Sequence, residues 1–366
     1  MKKITVLGMI IFVITFEVFS LTAKNLVYVY KNDSSFERIV TEAFDKLNIE
    51  YKIVDAVKEE SALYILFDVL DWDEKNLPKY FIAYQSFNLS SNILTESYLS
   101  KLRRAIVVWD YSRENIDQYK SKLFNYFYFP SDYEFIDPIC LVCKLPIEAL
   151  KTYRDLLMYS NSNNTDISSH LPTLFYYGLV QNPKIIVEAG VRGGESTIPL
   201  RKAQSFCGSQ LIGIDISPYA GNAYQGLANS AFVCMDDLLF PEYYKNKFGN
   251  QKIDLVFIDT SHLYEHTLAE IKAFVPLLSV NGLLAFHDSN VTPIEGHSWI
   301  TISNVVCSTG PGNTRGVTEA LQEYLGMQFD ESCYLNFHAT SVDGNAWHVI
   351  HYPFCNGFTI LKKENK

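Results

Sequence analysis

Long apolar runs, positive charge and cysteines are all scarce in this chain of 366 residues. The one long apolar run, Ile4 to Phe16, falls short of the ~20 residues that a membrane-spanning helix needs. Lys and Arg number 31 against 41 Asp and Glu, and the net charge of −10 excludes a surface that wraps nucleic acid or anionic lipid through many phosphate contacts. Seven cysteines are too few for a disulfide scaffold, and their odd number leaves at least one free thiol or an intermolecular partner. Low-complexity, collagen-like and disordered classes fall away with 48% apolar and 20% charged residues. Tryptophan is rare at 4, yet 24 Tyr and 24 Phe lift the aromatic share to 14%. That excess is either core mass or a crevice of rings with polar handles.

Residues 1–23 combine Met1-Lys2-Lys3, the run Ile4 to Phe16, and the ending Ser20-Leu21-Thr22-Ala23. A basic start, an apolar middle and a small residue before the cut describe a secretory signal, or a membrane anchor if uncleaved. The other reading is a buried parallel strand, which is also a continuous β-branched run.

After Ala23, short β-branched or aromatic runs alternate with helical periods. Leu26 to Tyr30, Tyr51 to Val54, Leu63 to Phe67, Tyr80 to Tyr84 and Ala105 to Trp109 read as strands. Ser34-x-x-Glu37 is a capping box ahead of Ile39, Val40, Ala43, Phe44 and Leu47 on one helical face. The alternation predicts an α/β fold with a parallel sheet. The polar stretch Ser160 to Asp166 sets a boundary between Leu150 and His170, dividing an N-terminal Rossmann-like unit over 24–155 from a second α/β unit over 165–366.

Strands of the second unit are Ile185 to Glu188, Leu211 to Ile216, Phe232 to Cys234, Leu255 to Asp259 and Leu283 to His287. Leu268, Ile271, Val275 and Leu278 form a helical stripe, and Asn281-Gly282 reads as its left-handed stop. Trp347 to His351 and Phe358 to Leu361, close together, predict an antiparallel pair at one edge. Cys140-Leu-Val-Cys143 is read as strand, with its two thiols on opposite faces and buried, since no second pair completes a zinc site.

Glu188-Ala-Gly190-Val-Arg-Gly193-Gly194 lies where a strand turns into a helix, and glycines there let backbone approach a ligand closely. A dinucleotide fingerprint needs a second glycine where Arg192 stands, which disfavours nicotinamide and flavin cofactors. Asp215 and Asp236-Asp237 end the next two strands. Each is either a solvated strand-end acid or a carboxylate placed for ribose hydroxyls and for an adenine amine.

Glu188-x-Gly190-x-x-x-Gly194, Ile214-Asp215, and Ile253 to Asp259 with His262 and Tyr264 come in this order, followed by Asn281 to Asp288. The set resembles class I S-adenosylmethionine-dependent methyltransferases, in the branch related to macrocin O-methyltransferase and cephalosporin hydroxylase. The resemblance implies a mostly parallel seven-stranded sheet with an antiparallel edge. It also implies a glycine loop (Glu188, Gly190, Gly194) for the methionine half of the cofactor, Asp215 for its ribose, and Asp236 or Asp237 for its adenine. Relatives that use a divalent metal such as Mg²⁺ hold it with carboxylates at the positions of Asp259 and Asp288; here His287 stands where they carry a further acid. In the first unit, Tyr80 to Gln85 and Ala105 to Ser112 with Asn115 resemble segments of glycosyltransferase-like domains of surface-polysaccharide enzymes.

Methyl transfer from a sulfonium is an in-line displacement in which alignment supplies on the order of 7–11 kcal/mol and a positioned base roughly 10²–10⁴-fold. His262 and His287, with Asp259 beside them, are the catalytic candidates because imidazole titrates near neutral pH. The expected function is O-methylation of a small-molecule, saccharide-like or natural-product hydroxyl. The alternative is a non-catalytic exported or surface binding protein on the same fold. Residues 1–23 favour an exported or membrane-associated chain, whereas S-adenosylmethionine is a cytosolic metabolite and favours a cytoplasmic one.

Overall fold

The computed structural model describes residues 26–31, 35–59, 61–89, 93–128, 140–163, 165–290, 300–302, 305–307, 316–353 and 355–365. Residues 1–23 and Ser34 lie outside them, and with them the readings of a signal and of a capping box. Among the described residues no helix is long and apolar enough to cross a membrane.

The first unit is a six-stranded sheet of β1 (Val27–Tyr30), β2 (Tyr51–Val54), β3 (Leu63–Phe67), β4 (Tyr80–Gln85), β5 (Val107–Asp110) and β6 (Tyr126–Tyr128), in the order β2-β1-β3-β4-β5-β6. Every pairing is parallel. Continuous apolar strands such as Leu63–Phe67, buried at all five positions, suit a sheet covered on both faces. Helices α1 (Ser35–Lys46), α2 (Glu96–Arg104) and α3 (Arg113–Tyr119) are its crossovers. Tyr84 and Trp109 are fully buried and Tyr28 is stacked on Tyr64, so these members of the aromatic excess are core mass.

Helix α4 (Ile147–Ser162) runs into the polar stretch and ends only at Asn163, carried by Leu150, Tyr153, Leu156 and Leu157 on its buried face. The almost wholly buried α5 (Leu171–Val180) follows. Both helices, with a 3₁₀ turn over Leu141–Lys144, join one face of each sheet into a single cluster of buried apolar side chains. Cys140 and Cys143 are buried in that cluster, as expected, but they flank or sit on a 3₁₀ turn and not a strand.

The second unit contains β7 (Ile185–Ala189), α6 (Thr197–Cys207), β8 (Gln210–Asp215), β9 (Ser230–Cys234), α7 (Phe240–Phe248), β10 (Ile253–Ile258), α8 (Tyr264–Phe274) and β11 (Leu278–His287). A separate ribbon of β12 (Ile300–Ile302) and β13 (Val305–Cys307) precedes α9 (Gly316–Leu325), β14 (Leu335–Thr340), β15 (Ala346–Tyr352) and β16 (Phe358–Lys363). The main sheet runs β14-β15-β16-β11-β10-β7-β8-β9, eight strands where seven were expected. Its five strands from β11 to β9 are parallel. The other three form an antiparallel edge that includes the expected pair.

The helical stripe does not extend to Leu278. Pro276 has no N–H to continue the ladder, so α8 stops at Phe274, a 3₁₀ turn takes Val275–Leu277, and Leu278 opens β11. Asn281, with φ 64°, is therefore inside a strand, beside the point where the register against β10 shifts between Ile253 and Leu255.

Leu284, fully buried at the centre of β11, packs in the second unit's outer cluster with Val256, Phe274 and Leu321. Leu284→Ala should lower the stability measured by urea unfolding by about 2–5 kcal/mol. A loss under about 1 kcal/mol would place this strand outside the core.

Candidate active site

From β7 the chain steps to β8 and β9 on one side, then returns to β10 and β11 on the other. The carboxyl ends of β7 and β10 thus flank the switch point, where parallel sheets open a crevice. Gly190 follows β7 with φ 84°, and a Cβ there would lie 1.9 Å from the backbone oxygen of Asp259. Only glycine permits this approach. Gly193 is the opposite case, since a Cβ there would meet nothing within 4 Å. A cavity of ≈ 240 Å³ lies over this turn, lined by Gly190, Arg192, Gly193, Gly194, Ser196 and Asp259 among others. Arg192, in the place of a fingerprint glycine, turns outward to Asp166 at 2.8 Å.

Glu188 ends up beneath the turn. It is fully buried and accepts hydrogen bonds from Ser196 Oγ at 2.5 Å, Thr197 Oγ1 at 2.8 Å and the Tyr224 hydroxyl. Burial pushes its pKa up to about 7 against the pull of these hydroxyls. The carboxyl therefore ties the glycine turn to the segment before β9, and it is not among the residues lining the cavity. Asp215 is likewise engaged by protein: one oxygen accepts from the backbone N–H groups of Val191 at 3.0 Å and Arg192 at 2.8 Å, the other from Ser217 at 2.7 Å. A carboxylate offers about four acceptor sites, so about one remains for a ligand.

At the ends of β10 and β11 four side chains converge. His262 Nε2 lies 2.9 Å from Asp259 Oδ1 and 3.1 Å from Asp288 Oδ2. His287 Nδ1 lies 3.5 Å from Asp259 and 3.3 Å from Asp288, while its Nε2 is 3.1 Å from the Asp166 carbonyl. His262 and Asp288 hold positive φ values of 57° and 55°, and Gly316 makes this possible for His262, since a Cβ there would sit 2.0 Å from the His262 carbonyl. Burial opposes charge on all four groups, yet the opposite charges prevail. Asp259 and Asp288 are held below the usual carboxylate range by the imidazoles, and His262 and His287 are raised by the carboxylates. The imidazoles and the carboxylates thus favour one another's charged forms.

Asp259, His262 and Asp288 also have the spacing of metal ligands. Asp288 Oδ1 and His287 Nδ1, both buried, face each other at 3.3 Å without a well-formed hydrogen bond. A divalent cation would compete with that pairing, and the mixed donor set suits one that accepts nitrogen better than Mg²⁺, which prefers oxygen.

The two acids after β9 part company. Asp236 is exposed and accepts from the backbone N–H of Leu238 at 2.9 Å. Asp237 is buried, and both its oxygens lie 3.2 Å from His266 Nε2. His266 and its neighbour Glu270 were missed in the sequence, although their four-residue spacing on a helix was a usable signal. Asp166, the Arg192 partner, had no such signal.

Residues 187–289 match a family model described as a methyltransferase domain, a stretch running from β7 to the end of the Asp259–Asp288 cluster. No curated protein matches. Among solved structures the chain is similar to the apo form of CalS11, a TDP-rhamnose 3'-O-methyltransferase of calicheamicin biosynthesis, with 16% identity over 61% of this chain and 90% of that one at a TM-score of 0.36. It is also similar to the O-methyltransferase from Bacillus cereus in complex with SAH, with 15% identity over 58% of this chain and 90% of that one at a TM-score of 0.36.

Gly190→Ala should therefore lower the melting temperature sharply, whereas Gly193→Ala should leave it unchanged; equal effects would remove the close approach from the account. The cluster also sets a pH dependence. His262 and His287, raised from 6.5, lend stability that is complete below that value and is lost as pH rises through their folded values. Asp259 and Asp288, lowered from 3.8, lend stability that is complete above 3.8 and is lost as pH falls through their folded values. In chelator-treated protein, melting temperature should fall above pH 6.5 more steeply for wild type than for His287→Gln. Parallel curves would contradict the ion quartet.

Proposed function

We propose that the second unit binds S-adenosylmethionine along Gly190–Gly194 and transfers its methyl group to the hydroxyl of a small-molecule or saccharide-like acceptor. One observation carries this reading: the cavity over the glycine turn has Asp259 of the acid–imidazole cluster in its wall. Donor and proton-handling groups then meet in one place. The methyltransferase-domain match over the same residues supports it.

The cofactor supplies an electrophilic methyl; its carbon–sulfur bond breaks as a carbon–oxygen bond forms, and the acceptor proton must leave. His262 is placed to take that proton, with a side chain 23% exposed against 1% for His287. The neighbouring carboxylates raise its pKa, so its basic form grows as pH rises through that raised value. His287 acts as a positioning residue, pinned between the Asp166 carbonyl and the two carboxylates. Asp259 and Asp288 would hold a divalent cation that lowers the cost of the developing alkoxide. Glu188 and Gly194 shape the methionine half from below, Asp215 keeps one acceptor site for the ribose, and Asp236 remains open to the adenine amine. On this reading residues 24–155 form a unit of their own beside the transferase unit, and residues 1–23 tether or export the chain.

Calorimetric titration with S-adenosylhomocysteine should show binding to wild type. Gly193→Val adds bulk to the cavity without meeting protein atoms at Cβ, so it should weaken that binding by at least about tenfold at an unchanged melting temperature. Absence of heat with wild type would overturn the proposal.

A further inference from the structure

A second group of ligand-type side chains sits outside the residues that line the glycine cavity. Asp237 comes from the turn after β9, and His266 and Glu270 come from one face of α8. His266 Nε2 is 3.2 Å from each Asp237 oxygen and 3.6 Å from Glu270 Oε1. One ligand atom from each of the three residues lies within 4.8 Å of the others.

Glu270 is fully buried. Its Oε1 accepts from Thr260 Oγ1 at 2.5 Å, and its Oε2 is buried with no N–H or O–H donor reaching it. Burial and the adjoining Asp237 carboxylate, which can accept a hydrogen bond from a protonated Glu270, push the Glu270 pKa well up. A buried polar atom without a partner costs about 1–3 kcal/mol, and more for a charged group. Without metal, two carboxylates at such a site share a proton, Glu270 carrying it; both ionise only when positive charge sits between them. One imidazole, already shared by both oxygens of Asp237, does not satisfy the second acid.

We infer that Asp237, His266 and Glu270 bind a divalent cation that takes nitrogen and oxygen together, such as Zn²⁺ or Mn²⁺. A neutral imidazole with two carboxylates balances a charge of +2, and three protein ligands leave a further position for water. The bound ion braces the β9 turn against α8. Through Thr260 the brace reaches Asp259, the residue immediately before it in the chain. Asp237 is then a metal ligand and not an adenine contact, and the site stands whether or not the chain transfers methyl groups.

The test uses the full chain, stripped with chelator and then loaded with Zn²⁺ or Mn²⁺ alone. Metal content is measured by elemental analysis, and melting temperature is measured with and without metal. Glu270→Gln keeps the shape of the side chain and an acceptor for Thr260, so it should fold. It should lose one equivalent of metal per chain and most of the metal-dependent rise in melting temperature. Asp259→Asn, which alters the other candidate cluster, should keep that equivalent, and Asp237→Asn should repeat the loss. The inference is overturned if Glu270→Gln retains the wild-type metal content, or if all metal bound by wild type disappears in Asp259→Asn.

Discussion

Two strand ends meet at the switch point of the second sheet with room for a hydrogen atom and nothing larger. The turn after β7 lies so close to the backbone of Asp259 that a side chain at Gly190 would overlap its carbonyl. Everything functional in this unit is arranged about that contact. It brings the glycine turn to the carboxyl end of β10, and the parallel pairing of β10 with β11 then brings Asp288 beside Asp259. The contact is a constraint on backbone, so no neighbouring side chain can substitute for it.

Around this crossing the chain buries acids and gives each a different compensation. Glu188 is surrounded by three hydroxyls, enough to satisfy its oxygens but not to keep its pKa at the ordinary value. Asp259 and Asp288 are matched by two imidazoles whose charged form they favour. Asp215 is held by backbone N–H groups of the glycine turn itself, which couples the turn's conformation to the acid that the ribose would use. Hydroxyls stabilise an acid locally, whereas imidazoles also make the site responsive to pH and to metal. That difference separates the supporting carboxyl of Glu188 from the acid–imidazole cluster whose Asp259 stands in the cavity wall.

Much of the architecture was legible in the sequence because strand runs such as Leu63–Phe67 and residues 255–258 are buried on both faces and read as unbroken apolar segments. The meeting of Asp259 with Asp288 followed from strand adjacency. The roles within the site were less legible. Nothing local tells that Glu188 is covered by Tyr224, or that Asp236 faces water while Asp237 faces His266, because those distinctions depend on which way a turn rotates after a strand. The stripe reaching to Leu278 misread a strand as helix, since the apolar periods of the two coincide there and Pro276 decides between them. In the first unit, rings that suited a crevice equally well are core, because Tyr84 and Trp109 occupy central strands.

The most direct measurement is a crystal structure of the chain grown with S-adenosylhomocysteine and Mn²⁺. The account predicts the ligand's amino-acid end against Gly190–Gly194, its sulfur on the side of the cavity nearest Asp259, and an ion touching Asp259 and Asp288. A glycine turn free of ligand at saturating concentration, or a ligand bound elsewhere on the molecule, would contradict it.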